Sequence, residues 1–497
     1  MQGILLQRSE EMPENVNNPL TTEQMIRIIR NGLVNSQSPK HILVVGAGMA
    51  GLVAASLLKG TGHKVTILEA NDRIGGRVHT LRSPFSDGLY FNAGPMRIPN
   101  THTLTLEYIK KFMLSTNVFI NRTPMDIIYV NGIQTRLGIF ERSPSILKYP
   151  VAPNERGKTA EELLLLVMQP LIDFIKQNPE KNWSLLEKQF RTYSLGFVLN
   201  TYFSDGAIDM IGVLLDMEAY MGMSFIEVLR ESIFFTSTTH FYEITGGTDQ
   251  LPQAFLPQLK ENILFHQKMT QIVQEKNSVT IHSIHKQTSE YFTITGDLAI
   301  ITIPFSALRF VKVEPFDSFS YNKRKAIREL NYIASTKIAI EFKSRFWERE
   351  GQYGGKSITD LPIRFTYYPS YGIGTKGHAM VLVSYTWADE ALTWDSLSEK
   401  ERIQYALRNL AEIYGNQVYF EFVSGSSFSW GQNPYSCGAF AAFEPGQELE
   451  LYPYITMPEG KVHFAGEHTT LTHGWMQGAI ESGIRVAYEV NNLPNVP

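Results

Sequence analysis

The chain has 497 residues, and its 43% hydrophobic and 19% charged content is typical of a globular protein of two or three structural units. Its net charge of −4 gives no reason to expect nucleic acid or an anionic membrane as a partner. One cysteine, Cys437, excludes an intrachain disulfide, and the first residues lack a secretory signal pattern, so a cytoplasmic protein is expected.

The first predicted element lies in a polar extension that covers residues 1–38. Apolar residues at helical spacing predict an amphipathic helix from Thr22 to Leu33. Pro39 then ends the extension before the first strand. The later apolar stretch at 163–168 is far too short to cross a bilayer.

Residues 41–70 carry a pattern that predicts a binding site. An apolar run at 42–45 predicts a strand buried on both faces of a parallel sheet. Three glycines with the G-x-G-x-x-G spacing follow, at Gly46, Gly48 and Gly51. A helical stretch comes next, and then a second apolar strand that ends at the acidic residue Glu69. The glycines permit a tight turn and close approach of the backbone to a pyrophosphate, and the acid is placed to bind a ribose diol. The segment predicts a dinucleotide site without indicating which dinucleotide.

Two segments that contain arginine come next. Asn71–Arg77 holds a Gly-Gly pair, and its position one strand after the glycine-rich turn predicts a second phosphate clamp. In Asn92–Pro99, Arg97 lies among small and apolar residues with a proline on either side. Such an arginine either reaches solvent or meets an anion, because burying an unpaired guanidinium is costly. The residues alone favour the surface, since most arginines are exposed.

The middle of the chain changes from helical to β patterns. Helical periodicity from Thr159 to about His240 predicts an inserted helical subdomain. Residues 246–252 then start a further helix with a proline near its first turn. Strands are predicted over 263–304, with 279–282 and 291–295 paired, and we expect them to return to the dinucleotide domain.

The last third of the chain predicts a second sheet and a return to the first. Strands at 335–342 and 380–387 suit a separate mixed sheet. Ser398 and Glu401 have capping-box spacing, which predicts a helix over 398–413. A short strand at 462–464 leads into a loop and a final helix through about residue 487.

These segments together resemble the flavin-dependent amine oxidase family, and within it the L-amino-acid oxidases, including those of snake venoms. The resemblance rests on IRNGL (29–33), VVGAGMAGL (44–52), LEANDRIGGRV (68–78), GPMRIP (94–99), STKIAIEFKSRFW (335–347), GGKSITDLP (354–362) and FAGEHTTLTHGWMQGAIESG (464–483). It implies an α/β fold with a discontinuous, Rossmann-like FAD-binding domain, a mixed-sheet substrate domain and an inserted helical subdomain.

The resemblance also implies how the chain is divided. The FAD-binding domain would comprise residues 39–78, 245–330 and 455–497. The substrate-binding domain would comprise 79–137, 239–244 and 331–454, with the helical subdomain at 138–238. The extension 1–38 would pack on the substrate domain.

The resemblance implies a set of residues around non-covalent FAD, and no metal. Besides the three glycines and Glu69, those expected near the adenosine and pyrophosphate are Met49, Ala50, Ala70, Arg77, Met269 and Glu467. Those expected near the flavin are Gly94, Pro95, Met96, Arg97, Trp430, Gly474, Trp475, Met476, Gln477, Gly478 and Ala479. A helix that begins there would also stabilise negative charge on a reduced flavin through its dipole.

Within this family Arg97 is reinterpreted as the ligand of the substrate carboxylate, assisted by Tyr385. A guanidinium fork binds a carboxylate strongly and directionally. Phe440 and Trp475 match the aromatic pair that flanks the amine nitrogen, and Lys337 matches a lysine that holds a water near the flavin. Without the resemblance, these three would be two core aromatics and a surface lysine at a strand end.

The sequence departs from the family pattern at three places. Ala439 occupies the position at which monoamine oxidases attach flavin to cysteine, so non-covalent FAD and a buried Cys437 are expected. Ile333 replaces an arginine of the venom enzymes, and Glu231 replaces their substrate-site histidine. One hypothesis is that Glu231 selects a substrate with a cationic side chain; a solvated glutamate at the entrance is favoured, since glutamate is seldom buried unless paired.

The resemblance predicts oxidative deamination of L-amino acids, with hydride transfer to flavin N5 and release of 2-oxo acid, ammonia and hydrogen peroxide. The substrate is a small molecule together with oxygen, and a homodimer is expected. The alternatives are an amino-acid 2-monooxygenase, another flavin amine oxidase acting on amines or polyamines, and a flavin- or NAD-binding protein without catalysis. Arg97 with Tyr385 disfavours simple amines, because the arginine would then stay unpaired.

Overall fold

The structure is a computed structural model that describes residues 19–234 and 239–493. The helix expected in the extension runs over Thr22–Asn31, with a capping box between Thr21 and Gln24. It ends two residues earlier than predicted because Gly32 turns the backbone to a φ of 80°. Arg30 makes a two-fold hydrogen bond of 2.7 and 2.9 Å to Glu107, which ties this helix to the helix Thr103–Lys111.

A five-stranded parallel sheet contains the predicted glycine-rich segment. Its strands, in spatial order, are Ile263–Leu264, Lys64–Leu68, His41–Val45, Leu298–Ile301 and Val462–Phe464. Ile42 and Val44 belong to the apolar cluster on one face of the sheet, and Leu43 and Val45 belong to the cluster on the other. Burial on both faces accounts for the unbroken apolar run of this strand.

The β pattern of residues 263–304 is divided between two sheets. The strands Val279–His285 and Tyr291–Gly296 pair antiparallel, as predicted. They lie in a four-stranded sheet completed by Gln267–Gln274 and Lys312–Glu314, rather than in the parallel sheet. This four-stranded sheet packs on the parallel sheet through a shared apolar cluster that includes Met269.

The predicted mixed sheet has seven strands. Their spatial order is Phe422–Ser429, Ser335–Phe342, Ala379–Trp387, Phe365–Tyr367, Lys356–Thr359, Ile127–Val130 and Ile133–Arg136. The two strands predicted from sequence are neighbours, and their antiparallel register places Lys337 opposite Tyr385. This register brings together two residues that are 48 positions apart in the chain.

Short strands form three smaller sheets outside the larger ones. They are the pair Tyr332–Ile333 with Phe440–Ala441, the pair Thr80–Leu81 with Phe91–Asn92, and the triple Ile98–Pro99, Phe241–Ile244 and Thr116–Phe119. Phe440 therefore lies in a two-stranded sheet and not in either of the larger sheets.

The predicted helical region packs in one apolar cluster with residues of the seven-stranded sheet. Its helices are Ala160–Gln177, Pro179–Phe190, Leu195–Asn200, Asp205–Leu215 and Phe225–Phe234, and the 3-10 turn Glu218–Tyr220 lies among them. The predicted capping box of Ser398 with Glu401 is present at the start of Glu399–Tyr414. The helix expected at 246–252 is a single turn, Gln250–Gln253.

The remaining helices lie around the sheets. They are Met49–Gly60, Thr103–Lys111, Leu137–Phe140, Leu256–Leu259, Phe305–Leu308, Tyr321–Glu329, Ala388–Asp395, Gln417–Glu421, Gln447–Thr456 and Met476–Asn491, with 3-10 turns at Pro144–Leu147, Lys260–Asn262, Phe316–Ser318, Phe346–Glu350 and Glu467–Thr469. Among the described residues, no helix combines the length and apolar character needed to cross a bilayer.

Candidate active site

A cavity of about 320 Å³ lies between the parallel sheet and the seven-stranded sheet. At one end it is lined by Val45, Leu68 and Thr302, which stand at or just beyond the carboxyl ends of three parallel strands. In open parallel sheets ligands bind at this edge. At the other end the cavity reaches Lys337 and Tyr385 of the seven-stranded sheet.

The glycine-rich turn forms one wall of this cavity. Gly46 has a φ of 108°, and a Cβ there would lie 2.7 Å from the Thr302 hydroxyl. A Cβ on Gly51 would lie 2.0 Å from the carbonyl oxygen of Gly46, so this glycine lets the helix Met49–Gly60 approach the strand. A Cβ on Gly48 would meet no atom within 4 Å, which leaves the turn open towards the cavity. The helix begins without a side-chain cap, and free N–H groups at such an end suit a phosphate.

Glu69 lies at the edge of the same wall and is buried. Its Oε2 accepts a hydrogen bond of 2.8 Å from the Ala47 backbone, and its Oε1 accepts from the backbone and side-chain amides of Asn71 at 2.8 and 2.9 Å. These bonds fix the carboxylate; Oε1 already accepts two of them, whereas Oε2 accepts one and keeps a lone pair for a ribose hydroxyl. Ala70 lines the cavity beside it.

The Gly-Gly-Arg loop closes against the first turn. A Cβ on Gly76 would lie 3.2 Å from the Cα of Gly48, so the two predicted phosphate-binding loops touch. Arg77 donates hydrogen bonds of 2.6 Å to Glu467 and 3.1 Å to the Ala439 carbonyl. The loop, Arg77, Ala439 and Glu467 all line the cavity.

Glu467 joins this loop to the other end of the cavity. It accepts hydrogen bonds from Arg77 and from the backbone amides of Gly474, at 3.1 Å, and Ala441. Burial alone would raise the pKa of Glu467, but the Arg77 guanidinium and the donors around it outweigh burial and hold the pKa below its ordinary value. An ionised carboxylate therefore fixes the backbone at Gly474.

The start of the final helix forms the second end of the cavity. Gly474 has a φ of 74°, and the helix Met476–Asn491 begins without a side-chain cap. Trp475, Met476 and Ala479 line the cavity. Gln477 does not, because its side-chain oxygen accepts hydrogen bonds of 3.1 and 3.2 Å from the backbone and hydroxyl of Thr105.

Lys337 is 1% exposed and lies opposite this helix start in the cavity wall. Its Nζ donates hydrogen bonds of 2.6 Å to the Gly94 carbonyl and 3.2 Å to the Asn92 carbonyl, and it lies 4.2 Å from the centre of the Tyr385 ring. Burial, with a smaller contribution from Arg97, lowers the pKa of Lys337 to about 7. Two of the three ammonium hydrogens are thus committed, and one is left for a ligand or water.

Arg97 is half-buried and does not itself line the cavity. Its Nη1 donates hydrogen bonds of 2.6 Å to Asn121 and 3.2 Å to the Tyr367 hydroxyl, and its guanidinium lies 5.4 and 5.5 Å from the ring centres of Phe241 and Tyr367. Within the described ranges no carboxylate forms an ion pair with it. A positive charge held among aromatic rings without an acidic partner favours the anion-binding interpretation over the surface one.

Most of the residues predicted from the sequence come together at this cavity. Those that line it are Gly46, Gly48, Met49, Ala50, Glu69, Ala70, Arg77, Gly94, Pro95, Met269, Lys337, Tyr385, Trp430, Phe440, Glu467, Gly474, Trp475, Met476 and Ala479. Those that do not are Gly51, Met96, Arg97, Gln477 and Gly478. Met96 is buried in the neighbouring apolar cluster, and a Cβ on Gly478 would lie 2.2 Å from the Thr472 carbonyl, so both have packing roles.

Three titratable residues near Trp475 differ from expectation. The sequence assigned no role to His473 and Glu227, and it favoured a solvated position for Glu231. His473 Nδ1 lies 2.7 Å from Glu227 Oε1, and this contact raises the pKa of His473 against the opposing effect of burial. Glu231 is half-buried rather than solvated and forms a hydrogen bond with Trp475. Glu227 and Glu231 lie one helical turn apart, which is a sequence signal for a shared face.

Cys437 is half-buried, whereas the sequence predicted a buried thiol. Its sulfur lies 3.8 Å from the Pro434 carbonyl, and burial raises the pKa of the thiol. Cys437 does not line the cavity, but Ala439 does. The thiol therefore lies outside the wall that faces a ligand.

Comparison with known proteins gives the family. Residues 49–491 match the model of flavin-containing amine oxidoreductases. The chain is 74% identical over 477 residues to a Bacillus subtilis (strain 168) protein named "Putative L-amino-acid oxidase YobN", covering 96% of this chain and 100% of the relative. It is 38% identical to an L-amino-acid oxidase of Siganus canaliculatus, over 94% of this chain and 88% of that one. It is 37% identical to one of Vipera ammodytes ammodytes, over 94% and 96%.

Solved structures support the same fold. A putrescine oxidase variant superposes with a TM-score of 0.75 at 18% identity, over 91% of this chain and 98% of that one. Cyclohexylamine oxidase from Brevibacterium oxydans IH-35A gives 0.73 at 20% identity, over 91% and 99%. The family match across most of the chain agrees with the glycine-rich wall and the second helix start in the cavity. The chain therefore belongs to the flavin-containing amine oxidoreductases, and it is an enzyme of that family.

Proposed function

We propose that this enzyme catalyses oxidative deamination of L-amino acids with non-covalently bound FAD. The observation that carries the proposal is Arg97, a half-buried guanidinium beside the cavity that is held among aromatic rings and forms no ion pair with any carboxylate of the described residues. A free amine would leave this charge unsatisfied, whereas an amino acid brings a carboxylate to it. The L-amino-acid oxidases at 37–38% identity are consistent with this substrate class.

The cavity fits FAD at both ends. Gly46, Gly48 and the uncapped helix start form a cradle for a pyrophosphate that any Cβ would fill or crowd, and Glu69 is fixed where a ribose would bind. Met269 lies in the wall at the adenosine end. Arg77, held by Glu467, supplies positive charge to the pyrophosphate. FAD held there would supply the two-electron oxidation of the amino acid, with oxygen as the final electron acceptor.

The residues of the chain orient the substrate and control its protons and water. Arg97 and Tyr385 bind the carboxylate, and Phe440 and Trp475 form flat walls for the α-amino group. Lys337 holds its free N–H towards the cavity for a water or reduced oxygen. The overall reaction converts the amino acid, oxygen and water into 2-oxo acid, ammonia and hydrogen peroxide. No step needs a strongly basic side chain, because the cofactor performs the difficult chemistry.

We infer the division of the chain from the same geometry. Residues 39–78, 245–330 and 455–497 form the FAD-binding unit, which is supported by the parallel sheet that draws its strands from all three segments. Residues 79–137, 239–244 and 331–454 form the substrate-binding unit around the seven-stranded sheet, and 138–238 form the helical one.

A panel of amino acids tests the reaction. Purified enzyme supplied with each common L-amino acid in air is expected to yield 2-oxo acid, ammonia and hydrogen peroxide in equal amounts, and the D-enantiomers are expected to be inactive. Amide and carbon dioxide in place of these products would identify the monooxygenase alternative. If no L-amino acid gives either set of products, the proposal is wrong.

A glycine substitution tests the cofactor site. Gly51→Ala is expected to lower the bound flavin per chain substantially, because its Cβ would lie 2.0 Å from the Gly46 carbonyl and push the helix start away from the cradle. Gly60→Ala in the same helix is the matched control, since a Cβ there meets nothing within 4 Å. Flavin released by acid precipitation is measured by its absorbance and identified chromatographically. Flavin that stays with the precipitate, or equal loading of the two variants, would contradict non-covalent FAD in this cradle.

A further inference from the structure

Glu231 is an acidic residue at the substrate end of the site. It lies on the helix Phe225–Phe234, is half-buried and forms a hydrogen bond with Trp475, which lines the cavity. The charged and titratable groups that face it are Glu227 on its own helix, Tyr220, Arg97 and His473. Acid and indole therefore lie next to each other at the substrate end of the proposed site.

The cations near Glu231 are committed to other partners. His473 pairs with Glu227 at 2.7 Å. Arg97 is reserved for the substrate carboxylate under the proposed function. Asp216, a further acid near Arg97, has two other cations close by, Lys356 and Arg364. In the part of the chain that the structure describes, Glu231 has no ion pair of its own.

The protonation of Glu231 follows from this environment. Burial, followed by repulsion from Glu227, raises its pKa to about 7, while Trp475, Arg97 and His473 act in the opposite direction. When a substrate carboxylate neutralises Arg97, one of these stabilising charges is lost. A cationic group on the ligand would replace that lost charge and favour the ionised form of Glu231.

The aromatic rings around this end suit such a charge. Trp387 packs edge-on against Tyr220, Tyr385 and Phe440, with ring centres 5.6, 5.0 and 6.0 Å apart. Aromatic faces attract cations such as ammonium and guanidinium groups.

We propose that Glu231 binds the cationic side chain of the substrate, so that the enzyme prefers L-amino acids such as L-lysine and L-arginine over neutral ones. The preference rests on the proposed function, since Arg97 must hold the carboxylate for the side chain to reach Glu231. A neutral side chain of the same length leaves the acid without a counterion.

The test compares L-lysine with L-norleucine, which has the same carbon chain without the terminal ammonium. Wild-type enzyme is expected to show a higher kcat/KM for L-lysine, and Glu231→Gln is expected to reduce the lysine-to-norleucine ratio on the order of 100-fold, mainly through KM. Glu187→Gln is the matched control, because Glu187 is a half-buried glutamate with a raised pKa in the helical region but faces Glu448 and Arg230 instead. Its ratio is expected to equal that of wild type.

The pH profile adds a signature that a purely structural role would not give. In wild type, the ratio of kcat/KM for L-lysine to kcat/KM for L-norleucine should rise as the pH increases from 6 to 8. Glu231, with a pKa of about 7, ionises over this range while the lysine side chain stays charged. Changes in the α-amino group affect both substrates alike and cancel in the ratio. In Glu231→Gln the ratio should not change with pH over this range.

A non-oxidisable pair of ligands tests the same contact without turnover. 6-Aminohexanoate is L-lysine without its α-amino group, and hexanoate lacks the terminal cation as well. The former is expected to bind wild-type holoenzyme more tightly by calorimetry and to lose this advantage in Glu231→Gln. Equal binding of both ligands together with an unchanged kinetic ratio overturns the inference while amino-acid oxidation stands. If no L-amino acid is oxidised by wild type, the proposed function itself fails.

Discussion

Replacing Arg97 with alanine is expected to lower kcat/KM for L-amino acids by about 10³- to 10⁴-fold. The guanidinium is half-buried, is held by Asn121 and Tyr367 through Nη1, and has no acidic partner among the described residues. A substrate carboxylate would complete its hydrogen bonding, and without Arg97 the carboxylate would be buried unpaired. Arg97→Lys keeps the charge but not the fork, so an intermediate loss is expected.

The matched substrate for this variant is the amine formed from each amino acid by removal of its carboxylate. Rates with that amine should not fall in Arg97→Ala, because the amine never contacted the guanidinium. Arg122→Lys is the control variant, since Arg122 lies next to Asn121 but pairs at the surface with Glu161. An equal loss for amine and amino acid would show that Arg97 supports the fold of the site rather than the carboxylate.

Local patterns in the sequence predicted the segments that form the glycine-rich wall of the cavity. Gly46, Gly48 and Glu69 lie within one strand, turn, helix and strand; the glycines act through backbone geometry, and Glu69 presents a carboxylate fixed by neighbouring amides. The parallel sheet was expected from the unbroken apolar run, and the structure confirms it. The capping boxes that start Ala160–Gln177 and Glu399–Tyr414 are equally local, and the second of them was predicted.

The substrate end could not be derived from local patterns, because it depends on pairing between distant segments. The strands of Lys337 and Tyr385 were both predicted, but their register, which places the two side chains together, is a tertiary property. Gln477 shows that consecutive residues at the start of a helix do not all face the same cavity. Met476 and Ala479 are three positions apart and share the cavity face, whereas Gln477 is rotated towards Thr105.

Glu231 illustrates a further limit. Exposure was favoured from the average behaviour of glutamate, and the fold instead places it half-buried against Trp475. Its neighbours Glu227 and His473 are 246 residues apart in the chain yet in contact. The charge balance that gives Glu231 its proposed role exists only once the helical region, the final helix start and Arg97 are brought together.

Replacing Lys337 with methionine is expected to slow the reaction of oxygen with the reduced enzyme by about 10²-fold, with a smaller effect on reduction by substrate. Lys337 is buried in the cavity wall, and two backbone carbonyls fix its ammonium group. A positive charge placed there stabilises negative charge as it develops on oxygen, and methionine preserves the volume of the side chain without the charge.

The pH dependence of this step has a defined sign. The pKa of Lys337 is lowered to about 7 by burial and by Arg97, so the ammonium form is complete below that pH and is lost above it. In wild type the rate constant with oxygen should therefore fall as the pH rises from 6 to 8, and in Lys337→Met it should not change over this range. Stopped-flow mixing of substrate-reduced enzyme with oxygenated buffer, followed by flavin absorbance, measures the rate constant.

Lys356→Met is the control for Lys337, because Lys356 lies on another strand of the same sheet, over the rings of Phe365 and Tyr367, and does not line the cavity. It removes one positive charge from the sheet without touching the wall beside Gly94. An equal loss in both variants, or a wild-type rate constant that rises with pH, would contradict the role of Lys337. A decrease in the rate constant with oxygen that is confined to Lys337→Met would assign one residue to each half-reaction. Arg97 would then act in the reduction by the amino acid, and Lys337 in the reoxidation by oxygen.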